Sequence, residues 1–167
     1  MNRLPVVAQT RAIFAIVVLG TLLLWANPVA ADVPFKGSIE GSFYATPTDN
    51  PVVWLSHAQA VGNATHVGAF SKVTTDFVNI VTGETWGAFT MTAPNGDLLT
   101  GLYAGVSVPG TTPGTLSWVL NTTITGGTGR FLHATGTFVF AADVTYEFNE
   151  GALVGHYTET FDGTINY

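Results

Sequence analysis

The chain has 167 residues, a formal net charge of −6 and no cysteine. Beyond the N-terminal segment, three basic residues (Lys36, Lys72 and Arg130) stand against all eleven acids. That balance argues against a partner held by charge on nucleic-acid phosphates or anionic lipid, and the missing cysteines exclude a disulfide scaffold, so the core alone must hold the fold.

Residues 1–11 carry two arginines and no acid, and residues 12–25 (AIFAIVVLGTLLLW) are almost wholly apolar. Asn27-Pro28 break that run, and Val29-Ala30-Ala31 offer small residues to a peptidase. The pattern predicts a secretory signal helix over residues 1–31, cleaved after Ala31. The competing reading is an uncleaved anchor, but the apolar run falls short of the roughly 20 residues that span a bilayer. Residues 32–167 then form a single domain, exported to the periplasm or cell envelope or out of the cell, with no stable membrane insertion once the signal is removed.

From there the pattern that repeats has a period of two. In residues 35–45, Phe35, Gly37, Ile39, Gly41 and Phe43 alternate with Lys36, Ser38, Glu40 and Ser42. PTDNP at 47–51 is a turn, and residues 52–61 alternate again up to Gly62-Asn63. Residues 64–81 are long for one strand and predict a bulge near Thr74-Thr75-Asp76. Thr82-Gly83-Glu84 turns the chain into residues 85–92. Pro94-Asn95-Gly96-Asp97 is a hairpin signal, since Asn-Gly suits a two-residue turn with positive φ. Residues 98–108 follow, then PGTTPG at 109–114, then Leu116, Trp118, Leu120, Thr122 and Ile124 in one phase. The glycine corner Gly126-Gly127-Thr128-Gly129 reverses the chain into the longest alternating run, Phe138, Phe140, Ala142, Val144, Tyr146 and Phe148. Asn149-Glu150-Gly151 makes the last turn, and residues 152–167 place Leu153, Tyr157, Phe161, Ile165 and Tyr167 in one phase.

Eight long strands with short reversals make a meander. A flat one would expose two edges, which closure removes. The predicted fold is therefore all-β, a closed eight-stranded antiparallel up-and-down barrel. A two-sheet sandwich is the alternative, disfavoured by the lack of long crossing connections.

The corner GGTGRF at 126–131 with Ala134-Thr135-Gly136 is similar to the glycine corner of the allene oxide cyclase and dirigent barrels. It resembles more closely a set of small exported, mostly uncharacterised bacterial proteins with that barrel. The stretches PFKG at 34–37, ATHVG at 64–68, APNGD at 93–97 and FDGTI at 161–165 look like the same set. The resemblance implies a calycin-like barrel with an apolar interior and no cofactor. The plant cyclases close a ring on a bound epoxide and dirigent proteins orient radical pairs, yet no catalytic residue of either carries over to a position here. His133 also stands where that pattern usually has a small residue.

Glu159 is the most informative position. It shares a phase with Tyr157, Phe161 and Ile165, so a lumen-facing last strand would put a carboxylate among aromatic rings. There it could orient a ligand or act as acid or base; the plainer role is an ion pair with Arg130 or a solvated acid at the mouth. His66, in phase with Gly68 and Phe70, is a second inward candidate, against the plainer role of capping a strand end. Arg130 beside glycine amides could hold an anion in a backbone nest or brace its own turn. Tyr157, Glu159 and Arg130 are thus candidate ligand contacts, and Glu159 and His66 candidate catalytic groups. No His or Cys spacing indicates a metal, and Ser56-His57, adjacent on a strand, point to opposite faces and make no nucleophilic pair. The function readings that follow are a lumen binding a small apolar ligand, a cofactor-independent isomerase or cyclase, and a filled structural barrel of the envelope or matrix. An outer-membrane barrel ranks last, since no strand shows an outward apolar band between aromatic girdles.

Overall fold

The computed structural model describes residues 31–167. The signal segment assigned to residues 1–31 therefore lies outside the described residues except for Ala31. The chain forms eight strands in sequence: β1 (Val33–Pro47), β2 (Val53–Ala64), β3 (Gly68–Asn79), β4 (Glu84–Thr92), β5 (Leu98–Pro109), β6 (Thr115–Gly127), β7 (Thr135–Asn149) and β8 (Ala152–Asn166), with a short 3-10 turn at Gly129–Phe131 between β6 and β7. Each strand pairs with the next, and β8 returns to pair antiparallel with β1, closing the barrel. The seam runs from Val33 opposite Ile165 to Ala45 opposite Leu153. On its outer side Lys36 Nζ donates to Asp162 Oδ2 at 2.8 Å across an exposed cross-strand pair.

Two local expectations change. No bulge interrupts β3, whose register with β2 and β4 is continuous through Thr74–Asp76. The irregularity lies in β5–β6, where the pairing shifts between Thr100 and Gly101 opposite Gly126 and Ile124. The cause is the glycine corner: Gly126 takes φ 127°, which a side chain resists. The 94–97 hairpin exists, but it closes as a longer loop, with Gly96 N donating to Ala93 O and positive φ at Gly96 rather than at Asn95. The two-residue turn with both central φ positive is Glu150-Gly151, at 50° and 89°, the arrangement whose twist suits flanking strands.

Alternation fixes what enters the bore. Large rings gather at the end holding the start of β1, the end of β8 and the glycine corner. Phe35, Phe89, Phe138, Phe140 and Phe161 pack edge-on or tilted, with centroids 4.8–6.0 Å apart. Phe131, fully buried, is set by the 3-10 turn among them with Met91, Leu99 and Ile165. Several inward glycines lie under neighbouring rings. A methyl at Gly37 would overlap Phe161, and one at Gly101 would overlap Phe89. This end is a solid aromatic plug.

Phe131→Ala should remove much of that plug. A fully buried Phe→Ala change costs about 3–5 kcal/mol, so the midpoint of urea unfolding should fall sharply while the folded β spectrum is kept.

Candidate functional site

Toward the other end the inward side chains become small or polar, and the bore opens. Ala45 on β1, Ser56 and Ala58 on β2 and Thr74 on β3 leave a cavity of about 400 Å³ that extends to the β3–β4 turn, where Asn79 to Gly83 line it. Its outer collar is mostly apolar, with Trp54, Ile80, Leu116, Tyr146, Phe148 and Leu153, interrupted by Asn79, Thr82 and Ser107. Between collar and plug runs a belt of polar groups.

The belt has two parts. In the first, Lys72 of β3 reaches across the bore to Glu159 of β8. The two form an ion pair through Nζ and Oε2, with Lys72 4% and Glu159 2% exposed. The other carboxylate oxygen, Oε1, accepts from Trp118 Nε1 at 3.0 Å. Register explains that reach: Trp118 pairs with Ala142, and Ala142 with Glu159, so the indole crosses a strand whose inward residue is only a methyl. Lys72 Nζ also lies 4.0 Å from the Phe140 ring centroid and 5.6 Å from that of Tyr157, a desolvated cation over aromatic faces.

In the second part, Asp76 of β3 accepts from Tyr103 Oη at 3.0 Å and from Thr74 Oγ1 at 3.1 Å, both on Oδ1, with the Ser56 hydroxyl a third partner. The same device recurs. Asp76 pairs with Gly87 and Gly87 with Tyr103, so the phenol crosses a strand with no side chain to block it. A methyl at Gly87 would lie 2.5 Å from Asp76 Cβ. Burial pushes the Asp76 carboxyl above its ordinary 3.8, outweighing its hydroxyl donors and the charge of Lys72. Burial first, and Asp76 second, hold the Tyr103 phenol well above its usual range. Tyr157 is raised by burial and then by Glu159. Both phenols stay protonated.

The candidates divide. Glu159 and Tyr157 face the lumen as their phase predicts. The partner of Glu159 is Lys72, however, and not Arg130, which is held at the closed end. There Arg130 N and Nε lie 3.4 and 3.9 Å from Asp97 Oδ2, its Nη2 donates to Val67 O at 3.4 Å, and the guanidinium stacks on Phe131 at 4.7 Å. It braces the corner and does not line the cavity. His66 is not inward either. It sits exposed in the β2–β3 turn with φ 67°, its Nδ1 3.0 Å from Tyr167 Oη. The turn breaks the alternation, so a phase counted back from Phe70 does not reach it. Lys72, Asp76, Tyr103 and Trp118 were the residues missed. Lys72 and Asp76 share the phase of Phe70, and that signal was available. One further group stands out: Trp54, 8% exposed on the cavity wall, has its Nε1 buried without a hydrogen-bond partner. Among the described residues no cluster of three or more His, Cys, Asp or Glu side chains is placed to hold a metal ion.

No protein-family model and no curated protein matches the chain. Among solved structures it is similar to a pterocarpan synthase dirigent protein, GePTS1, at 16% identity over 82% of this chain and 88% of that one, with a TM-score of 0.36.

Removing one member of the buried ion pair strands the other. Lys72→Met should therefore cost about 3–5 kcal/mol, and the double change Lys72→Met with Glu159→Leu should recover most of it, as measured by chemical unfolding. Asp76 carries a pH signature. An acid raised above its unfolded value binds its proton more tightly when folded, so its contribution falls as pH rises from 3.8 through the raised value. Asp76→Asn should thus be more stable than the parent at neutral pH, with the gap closing as pH falls toward that window, followed by thermal melts across pH.

Proposed function

We propose that this is an exported barrel that binds a small, largely apolar ligand in its open half. The observation that carries the reading is the cavity itself, about 400 Å³ with an apolar collar over a few convergent polar groups. That is the usual make-up of a small-molecule site. A barrel built only as structure would be expected to fill this space as the plug fills the other end. The unpartnered Trp54 Nε1 on the same wall supports the reading, because a buried donor without a partner costs about 1–3 kcal/mol that a ligand's acceptor would offset. Export rests on the pattern of residues 1–31.

A second reading is favoured by Asp76. A carboxyl shifted toward its neutral form beside a cavity can hand over a proton, which suits a cofactor-independent isomerase or cyclase. The two separate on product: a binder returns its ligand unchanged.

The neutral fluorophore N-phenyl-1-naphthylamine should light up on binding the purified domain. Ala58→Trp, which plugs the lumen from its wall, should abolish the signal with the fold intact by circular dichroism. Equal binding by the plugged variant would place the probe elsewhere and remove the support for a lumen site. Mass spectrometry of the natively purified chain should also find an apolar compound carried along with it.

A further inference from the structure

On the footing that the lumen is a binding site, its charges say what kind of ligand it takes. Two carboxylates and one ammonium line the cavity. Lys72 and Glu159 are committed to each other, with Trp118 completing the carboxylate. Asp76 has no cation of its own. From the strands packed around it, it meets Ser56 on β2, Thr74 on its own strand, Gly87 on β4 and Tyr103 on β5. Lys72 lies four residues along the same face, and across the bore the titratable groups that feel Asp76 include Tyr157 of β8. Only Lys72 among these is positive, and Glu159 already holds it. A carboxylate set in an apolar bore with hydroxyls alone is left short of a counter-charge.

The wall is also suited to a cation. It already accommodates one ammonium over the Phe140 and Tyr157 rings, and the Trp118 and Tyr103 rings line the same space. An anionic head would fare worse, since to meet Lys72 it must crowd Glu159 and lie beside two carboxylates. Outside the lumen, the excess of acids over bases in the described residues draws cations toward the protein.

We infer that the lumen takes a cationic amphiphile, a protonated amine whose ammonium lodges against the Asp76 carboxylate while its apolar body runs out along the collar. Polarity is graded that way along the bore: plug, polar belt, apolar collar. The head goes in first and the tail faces the mouth.

The test uses three probes of one length, n-octylamine, n-octanol and octanoate, titrated into the domain near neutral pH. Binding is read by calorimetry and by the fluorescence of Trp54 and Trp118. The amine should bind roughly tenfold tighter than the alcohol, or more, as expected for a charge-assisted hydrogen bond, and octanoate should bind weakest. Asp76→Asn should bring the amine down to the level of the alcohol measured on the same variant. Octanol or octanoate binding as tightly as the amine, or an amine preference that survives Asp76→Asn, would overturn the inference and leave the binding reading standing. Failure of all three to bind would remove both. If Asp76→Asn does not fold, the ranking on the parent protein still decides.

Discussion

An eight-stranded barrel has a bore so narrow that side chains from opposite walls meet in the middle, and everything else here follows from how that space is filled. Rings fill one half to the limit, some of them lying over glycines on the next strand. In the other half alanine, serine and threonine stop short of the axis. The same wall is therefore a core at one end and a container at the other, with no added loop or lid needed to make the change. The packed half supplies the apolar burial, at roughly 25 cal/mol per Å², that lets the other half stay open.

The polar belt does not stabilise the fold in its own right. A buried ion pair does no better than well-packed apolar side chains of the same volume, and often worse. A half-paired acid such as Asp76 costs more. What the belt does have is precision. Trp118 reaches Glu159 over Ala142, and Tyr103 reaches Asp76 over Gly87. In both cases a rigid aromatic donor crosses one strand through a gap left by a small residue. Two acids on different strands are thus each held by a ring two strands away, which fixes where the carboxylates point.

Period-two alternation made the barrel legible in the sequence, along with the inward phase of Glu159 and Tyr157, because each strand's phase is a local property. Phase also carried Lys72 and Asp76 inward with Phe70. A lysine and an aspartate in an alternating strand look like its wet side, however, and only closure of the barrel shows that Glu159 waits opposite Lys72. Partners across the bore depend on strand tilt and stagger, which no single strand encodes. That is why the strand phases leave Arg130 open as one partner for Glu159, whereas the corner turns that cation outward onto Asp97. His66 failed for a different reason. Positive φ at His66 and Gly68 resets the alternation, so a count across that turn loses its meaning.

The open half also has a direction. Its deepest groups are charged and its outermost mostly aromatic or aliphatic, the reverse of the usual order from core to surface. A purely apolar guest would leave the belt unanswered, and a purely polar one would waste the collar. Dewetting the collar favours an apolar body, and desolvated Asp76 favours whatever brings a positive charge to it. On the proposed binding reading, both preferences would act along one axis and on one molecule, and would select for the order of its parts as well as for its size.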